Sequence, residues 1–226
     1  MLSKAELLLP AGSLVKLKTA ILYGADAVYC GGPFMQLRAE SAGFSMEKLK
    51  EAAAAVHAKG KKLYVTVNSF ADNDEIDKLG SYANELYFCG VDAVIVSDIG
   101  AASEIKEKCP ELELHISTQA NTMNYKAARL YHSMGAKRIV LARELNIDKI
   151  KRLRDSTPDD LELEAFVHGA MCMSYSGRCL LSSYLAGRSG NRGQCAQTCR
   201  WNYYLMEEKR PGEYFKIEES EHGSTI

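Results

Sequence analysis

The sequence predicts an α/β protein: a (β/α)8 TIM-barrel-like domain that stops short of its last unit, followed by a cysteine-rich loop and a short β-hairpin. Three observations predict it. Strand-like and helix-like patterns alternate along the first three quarters of the chain. Three segments echo one another, Gly24-Ala25-Asp26-Ala27-Val28-Tyr29, Gly90-Val91-Asp92-Ala93-Val94-Ile95 and Gly135-Ala136-Lys137-Arg138-Ile139-Val140. Each glycine suits the C′ position that ends a helix with positive φ, and each opens an apolar run. Finally, strand interiors such as Tyr64-Val65-Thr66-Val67 and Val94-Ile95-Val96 are apolar on both faces, as in a parallel sheet covered by helices.

In chain order, strands are expected over Glu6–Leu9, Ala27–Tyr29, Lys62–Val67, Ala93–Val96, Glu113–Ser117, Arg138–Leu141 and Leu161–Val167. Helices are expected over Ser13–Tyr23, Ser45–Lys59, Glu75–Phe88, Ile99–Lys108, Tyr125–Met134 and Ile147–Arg154, with Ser13, Ser45 and Asp74 as N-caps. A doubly wound open sheet is the rival arrangement. It lacks support because Leu9-Pro10-Ala11-Gly12-Ser13 carries one glycine and no dinucleotide fingerprint. Polar residues follow the apolar runs: Asn68, Asp98, Gln119, Arg143, Glu144 and His168. In a barrel such positions converge on one mouth, where sites are built.

The pattern changes after Gly169. Residues 170–200 show neither period and are rich in Cys, Ser, Gly and Arg. Two strand-like runs, Trp201–Glu207 and Tyr214–Glu218, flank Lys209-Arg210-Pro211-Gly212 and read as a hairpin; the rest reads as a tail. The boundary therefore falls between a barrel part, 1–169, and a metal-binding segment with hairpin, 170–226. With seven strands and no eighth βα unit, the chain reads as a fragment of a longer protein.

Composition narrows the function classes. The chain has 226 residues, 46% hydrophobic and 25% charged, which excludes long disorder, collagen and coiled coil. No run of ~18 apolar residues exists to span a membrane, and the start lacks a secretory pattern, so a cytoplasmic protein is expected. The net charge of −1 means that any nucleic-acid contact must be local.

The seven cysteines divide unevenly. Cys30, Cys89 and Cys109 are scattered and read as free buried thiols. Cys172, Cys179, Cys195 and Cys199 crowd into 28 residues, and reduced thiols from one glycine-rich loop can wrap a metal. The Cys195-x3-Cys199 pair meets zinc spacing, whereas Cys172-x6-Cys179 is wide and easier for an iron–sulfur cluster. Cluster, zinc and free thiols all stay open on spacing. The segment also holds Arg178, Arg188, Arg192 and Arg200 with no Asp or Glu, a local charge of +4. It either neutralises a metal–thiolate site or docks phosphates. Tyr175, Tyr184, Trp201, Tyr203 and Tyr204 interleave with these arginines and would suit base stacking or packing.

Glu164-Ala165-Phe166-Val167-His168-Gly169-Ala170-Met171-Cys172 and Ser176-Gly177-Arg178-Cys179-Leu180-Leu181-Ser182 resemble the signature of peptidase family U32, the collagenase-like family. Asn191-Arg192-Gly193-Gln194-Cys195-Ala196-Gln197-Thr198-Cys199-Arg200 and the opening Glu6-Leu7-Leu8-Leu9-Pro10-Ala11-Gly12 are similar to further blocks of that family. The resemblance implies a barrel-like domain within a longer chain. It also implies oxygen-independent hydroxylation of a tRNA uridine or an rRNA cytidine, dependent on prephenate, or a role in ubiquinone synthesis. It implies a 4Fe–4S cluster with Cys172, Cys179 and Cys195 as ligands. Cys199, or a residue farther downstream, is the fourth. It further implies RNA, a prephenate-like small anion and a possible partner subunit as partners. The residues expected to hold substrate come from position and charge instead: Gln119, Arg143 and Glu144 at the barrel mouth, and Arg178, Arg192 and Arg200 of the basic segment.

The family name also implies a peptidase. There is no His-Glu-x-x-His helix and no Gly-x-Ser-x-Gly elbow, but Cys172 and His168 could form a dyad. Glu164 and His168 are the candidate catalytic side chains; otherwise Glu164 is an inward partner of a basic residue and His168 a loop residue. A non-enzymatic RNA- or partner-binding module is the third possibility.

Overall fold

A computed structural model describes residues 5–36, 43–169, 171–216, 218–220 and 223–225. Ala170, inside the first motif and at the proposed boundary, lies outside the described residues, as does Ile217 of the second hairpin run.

Seven parallel strands lie in strict sequence order: β1 (Leu8–Pro10), β2 (Ala27–Gly31), β3 (Lys62–Val67), β4 (Ala93–Val96), β5 (Glu113–Ile116), β6 (Ala136–Val140) and β7 (Glu162–Glu164). Helices α1 (Leu14–Leu22), α2 (Met46–His57), α3 (Asn73–Phe88), α4 (Ile99–Lys108), α5 (Tyr125–Ser133) and α6 (Ile147–Asp155) fill the crossovers. Sequential order with a helix in each crossover is barrel winding; a doubly wound sheet would reverse direction partway.

Local chemistry sets the element ends. Ser13 and Ser45 cap α1 and α2 through their side-chain oxygens. The α3 cap is Asp72 rather than Asp74: Asp72 accepts from the Glu75 amide while Glu75 reaches back to the Asp72 amide, a capping box that starts the helix two residues earlier than expected. Gly24, Gly90 and Gly135 have φ of 95°, 86° and 92°, the left-handed C′ conformation their repeat predicts.

The two sheet faces bury different things. Val28, Leu63, Val65, Val94, Leu114, Ile116 and Ile139 pack outward against Leu17, Leu49, Leu79, Leu86 and Ile105 of the helices, the main core. Ala27, Tyr64, Ala93, Ile95 and Val140 form a small inner cluster with Leu8 and Tyr29. Beside it, Arg138 of β6 bonds Glu6 at 2.6 Å, Glu162 at 2.6 Å and Glu164 at 3.3 Å, and Tyr64 of β3 donates to Glu6 at 3.1 Å. Five strand spacings would put β1 and β6 about 24 Å apart in a flat sheet. Contact between Arg138 and Glu6, just ahead of β1, therefore requires the sheet to curl on itself as an incomplete barrel.

A bulge makes this network possible. Leu114 pairs with Ala136 but His115 pairs with Arg138, so Lys137 is the extra residue on β6. Side chains alternate along a strand, and one inserted residue reverses their facing. Ala136 packs in the outer core while Arg138 turns inward to Glu6.

Residues 171–216 are less regular but not shapeless. A short helix, α7 (Leu181–Ala186), and 3-10 turns at Gly190–Arg192 and Thr198–Arg200 occupy a stretch in which no period is legible. Strands β8 (Tyr204–Leu205) and β9 (Phe215–Lys216) pair antiparallel as the expected hairpin. Beyond them β10 (Glu218–Ser220) and β11 (Gly223–Thr225) form a second antiparallel pair where only a tail is expected.

Candidate functional site at the barrel mouth

The loops leaving the strand C-termini carry the polar residues singled out by sequence, and the cysteine-rich segment lies across them. Asp98 is the N-cap of α4, accepting from the Ala101 amide at 3.0 Å. Asn68 uses its carbonyl to receive the Ser97 hydroxyl at 3.0 Å. Glu144 is exposed on the turn after β6. Gln119 sits in a 3-10 turn after β5, and its side chain lies against the backbone of Gly177.

Arg143 and His168 come together at the ends of β6 and β7. A cavity of about 290 Å³ is lined there by Leu141, Arg143, Ile150, Phe166, His168 and Met171, among others. The Arg143 guanidinium stacks on the Phe166 ring, 4.3 Å from its centroid. Phe166 is a site residue that sequence reasoning missed; read as part of a strand, it carries no separate signal. Among the described residues no hydrogen bond joins His168 to Cys172.

Glu164 turns away from that cavity, to Arg138 inside the barrel. Burial pushes its carboxyl above the ordinary range against the pull of Arg138. Burial opposes ionisation of Glu6 as well, but hydrogen bonds from Arg138 and Tyr64 outweigh it and hold that carboxyl low. His115, fully buried against the Tyr64 ring edge, has its basicity lowered by burial in spite of the Glu113 carboxylate 3.7 Å away.

The cysteines separate by burial, with Cys89 more exposed than the buried thiol expected. Cys30 and Cys109 are buried and Cys89 half-buried, and burial pushes the Cys30 thiol up to about 12. Cys172 and Cys195 are exposed, Cys179 and Cys199 partly so, and none is in a disulfide. Cys179 accepts the Leu181 amide and Cys195 the Gln197 amide, both at 3.4 Å, contacts that steady a sulfur carrying negative charge. Cys179 leads directly into α7, and the Ser182 hydroxyl near its start receives the Ala196 amide at 2.9 Å, which draws Cys195 alongside. The donor chemistry thus fits a thiolate-bound metal or cluster. Their arrangement does not close one: among the described residues no three Cys, His, Asp or Glu side chains form a metal-holding group.

The arginines are unequal. Arg192 is engaged by the first turn of α3, bonding Asp72 at 3.1 Å and Glu75 at 3.0 Å, and Arg188 donates to the Gln194 carbonyl. Arg178 and Arg200 are exposed, with Tyr175, Tyr184 and Trp201 exposed in the same segment. No helix among the described residues is long and apolar enough to cross a membrane.

The model for peptidase family U32 matches residues 12–225. The chain belongs to peptidase family U32. This U32 chain is 43% identical over 206 residues to the tRNA hydroxylation protein P of Escherichia coli K12, covering 91% of this chain and 45% of that protein. It is 40% identical over 206 residues to a 23S rRNA 5-hydroxycytidine synthase of the same organism, covering 91% of this chain and 31% of that protein. A solved structure described as a U32 peptidase superposes with a TM-score of 0.61 at 16% identity, covering 73% of this chain and 69% of that one, a likeness of fold. The U32 chain spans less than half the length of these two curated relatives.

Proposed function

We propose that this U32 chain belongs to an RNA-hydroxylating protein, with a tRNA uridine as the modified base. The observation that carries the reading is 43% identity, over nearly the whole chain, to a protein named for tRNA hydroxylation. The exposed Arg178 and Arg200, interleaved with exposed Tyr175, Tyr184 and Trp201, supply the cation-and-ring surface that single-stranded RNA takes. The Arg143–Phe166 cavity offers a guanidinium against apolar walls, which suits a small carboxylate with an apolar body, such as a prephenate-like anion.

Cys172, Cys179, Cys195 and Cys199 would hold a 4Fe–4S cluster, with zinc the alternative occupant. When bound, a cluster supplies the one-electron chemistry that side chains lack. The local positive charge of the segment offsets the negative charge of a metal–thiolate group. A partner subunit and a cytoplasmic location complete the reading.

The test is loss and restoration of tRNA 5-hydroxyuridine, read by mass spectrometry of nucleosides. Deletion of the gene abolishes the modification, and the full-length protein restores it while Cys172→Ala does not. Unchanged hydroxyuridine after deletion, or gelatin cleavage that needs His168 but not Cys172, moves the assignment to a peptidase. Anaerobic purification tests the cluster separately: broad absorbance near 400 nm with iron supports it, and colourless protein with tight zinc rejects it.

A further inference from the structure

We propose that Asn121 and Arg192 are positioning residues that latch the two halves of the cysteine segment onto the barrel mouth. The inference rests on the thiolate-site reading above, and its test separates the two.

The first latch is on the β5–α5 loop. Asn121 has φ 55° and ψ 44°, a left-handed conformation that non-glycine residues adopt rarely and that Asn tolerates best. This bend aims its amide nitrogen at two carbonyls, that of Gln119 at 3.0 Å and that of Ser176 at 2.9 Å. Ser176 lies between Cys172 and Cys179 and is buried at this contact. The next residue, Gly177, has φ 73°, and a Cβ there would stand 2.5 Å from Gln119 Oε1. Glycine adopts this left-handed φ without strain and lets the segment pack against Gln119 with no side chain of its own in the way. Ser176, Gly177 and Asn121 therefore act together to fix the Cys172–Cys179 half.

The second latch is on the β3–α3 connection. Arg192 lies three residues before Cys195 and bonds both carboxylates of the α3 capping box, Asp72 and Glu75. Beside it the Phe70 amide donates to the Asn191 carbonyl at 3.4 Å. Those carboxylates are already placed by the helix end they cap, so Arg192 docks on a rigid partner. This fixes the Cys195–Cys199 half. The halves meet through the Ser182–Ala196 bond. Two anchors on separate barrel loops, each a few residues from a cysteine, thus set how far apart the two cysteine pairs stand.

The experiment uses the full-length protein. Asn121→Gly removes the amide and keeps the left-handed turn; Asn121→Asp keeps the shape and sets an acceptor against two carbonyls. Arg192→Glu breaks the second latch, and Arg192→Lys keeps its charge. Iodoacetamide labelling of metal-free protein is followed at each cysteine by mass spectrometry, with iron per chain measured after anaerobic reconstitution. Losing one net hydrogen bond should speed labelling of half-buried Cys179 roughly fivefold in the Asn121 variants. Arg192→Glu should do the same at Cys199, and Arg192→Lys should stay near wild type. Buried Cys30 reports global unfolding; if an Asn121 variant exposes it, the Arg192 pair decides. Unchanged labelling at Cys179 and Cys199 overturns the latches. If wild type takes up no iron but the labelling changes appear, the latches stand and the cluster reading falls.

Discussion

The barrel part and the cysteine segment are held by different forces. In the barrel part each of α1–α6 begins at a side-chain cap, and the main core packs apolar strand residues against helices on one face of the sheet. In the cysteine segment α7 has no side-chain cap, and the large apolar residues Met171, Met173, Leu180, Leu181, Tyr184 and Trp201 are exposed. What joins that segment to the barrel is polar: an asparagine amide on a carbonyl and an arginine on a capping box. Burial gives the barrel its own stability, whereas the segment takes its shape from where it docks and, on the reading above, from what it binds. The consequence is separability: perturbing the segment should leave the barrel folded, and perturbing the barrel interior should disturb both.

The largest expected effect comes from the interior. Arg138 is nearly buried and faces Glu6, Glu162 and Glu164. Replacing it with Ala leaves Glu164, the most buried of the three carboxylates, without its cation, and breaking a buried pair from one side costs about 3–5 kcal/mol. Urea denaturation followed by circular dichroism should show that loss as a lower midpoint; a midpoint within error of wild type would mean the curled sheet does not depend on this network.

Next is the outer face. Leu114 on β5 is fully buried, and Leu114→Ala should cost about 2–5 kcal/mol through lost burial and the cavity left behind. The same assay on Leu180→Ala, at an exposed leucine of the segment, should move the midpoint by only about 0.5 kcal/mol or less. Equal costs would erase the contrast between the regions.

A smaller effect tests their junction. Asp72 caps α3 and receives Arg192, so Asp72→Ala should cost about 1 kcal/mol through the cap. It should also loosen the segment locally, seen as faster hydrogen exchange at Phe70 and around Arg192.

The sequence makes the regular part of this molecule legible because its signals are local. Lys62–Val67 and Ala93–Val96 are strands with the expected ends, since apolar runs bounded by turn residues need no tertiary information. The glycine repeat foretells three left-handed C′ residues for the same reason. Sequence fails where distant parts meet. Nothing near Glu6 announces Arg138, 132 residues away, because the bulge at Lys137 that turns Arg138 inward is a property of strand pairing. Arg192 reads as a basic-patch residue because neither partner announces it: Glu75 reads only as the start of a helix, and Asp72 is passed over in favour of Asp74 as its cap. The helix α7 and the β10–β11 pair are too short to show a period. Asn121 carries one usable signal, an asparagine directly after a strand and turn, which becomes a site only once Ser176 is seen beneath its amide.

The last prediction concerns pH and isolates the barrel from the segment. His115 is buried between strands with its ring edge to Tyr64, and burial lowers its folded-state pKa below the ordinary 6.5. As pH falls below 6.5 the unfolded chain takes up a proton that the folded chain resists, so stability falls with pH in that window. Glu6 acts lower down: held below 4.5, it gives up its contribution only as pH drops through its folded-state value. Glu164, raised, works in the opposite sense, favouring the folded state as it protonates. A thermal midpoint that drops between about pH 8 and about pH 5.5 is therefore the His115 signature. His115→Phe keeps the ring against Tyr64, removes the proton site and should flatten that drop. An equal drop in both proteins would place the sensitive group elsewhere.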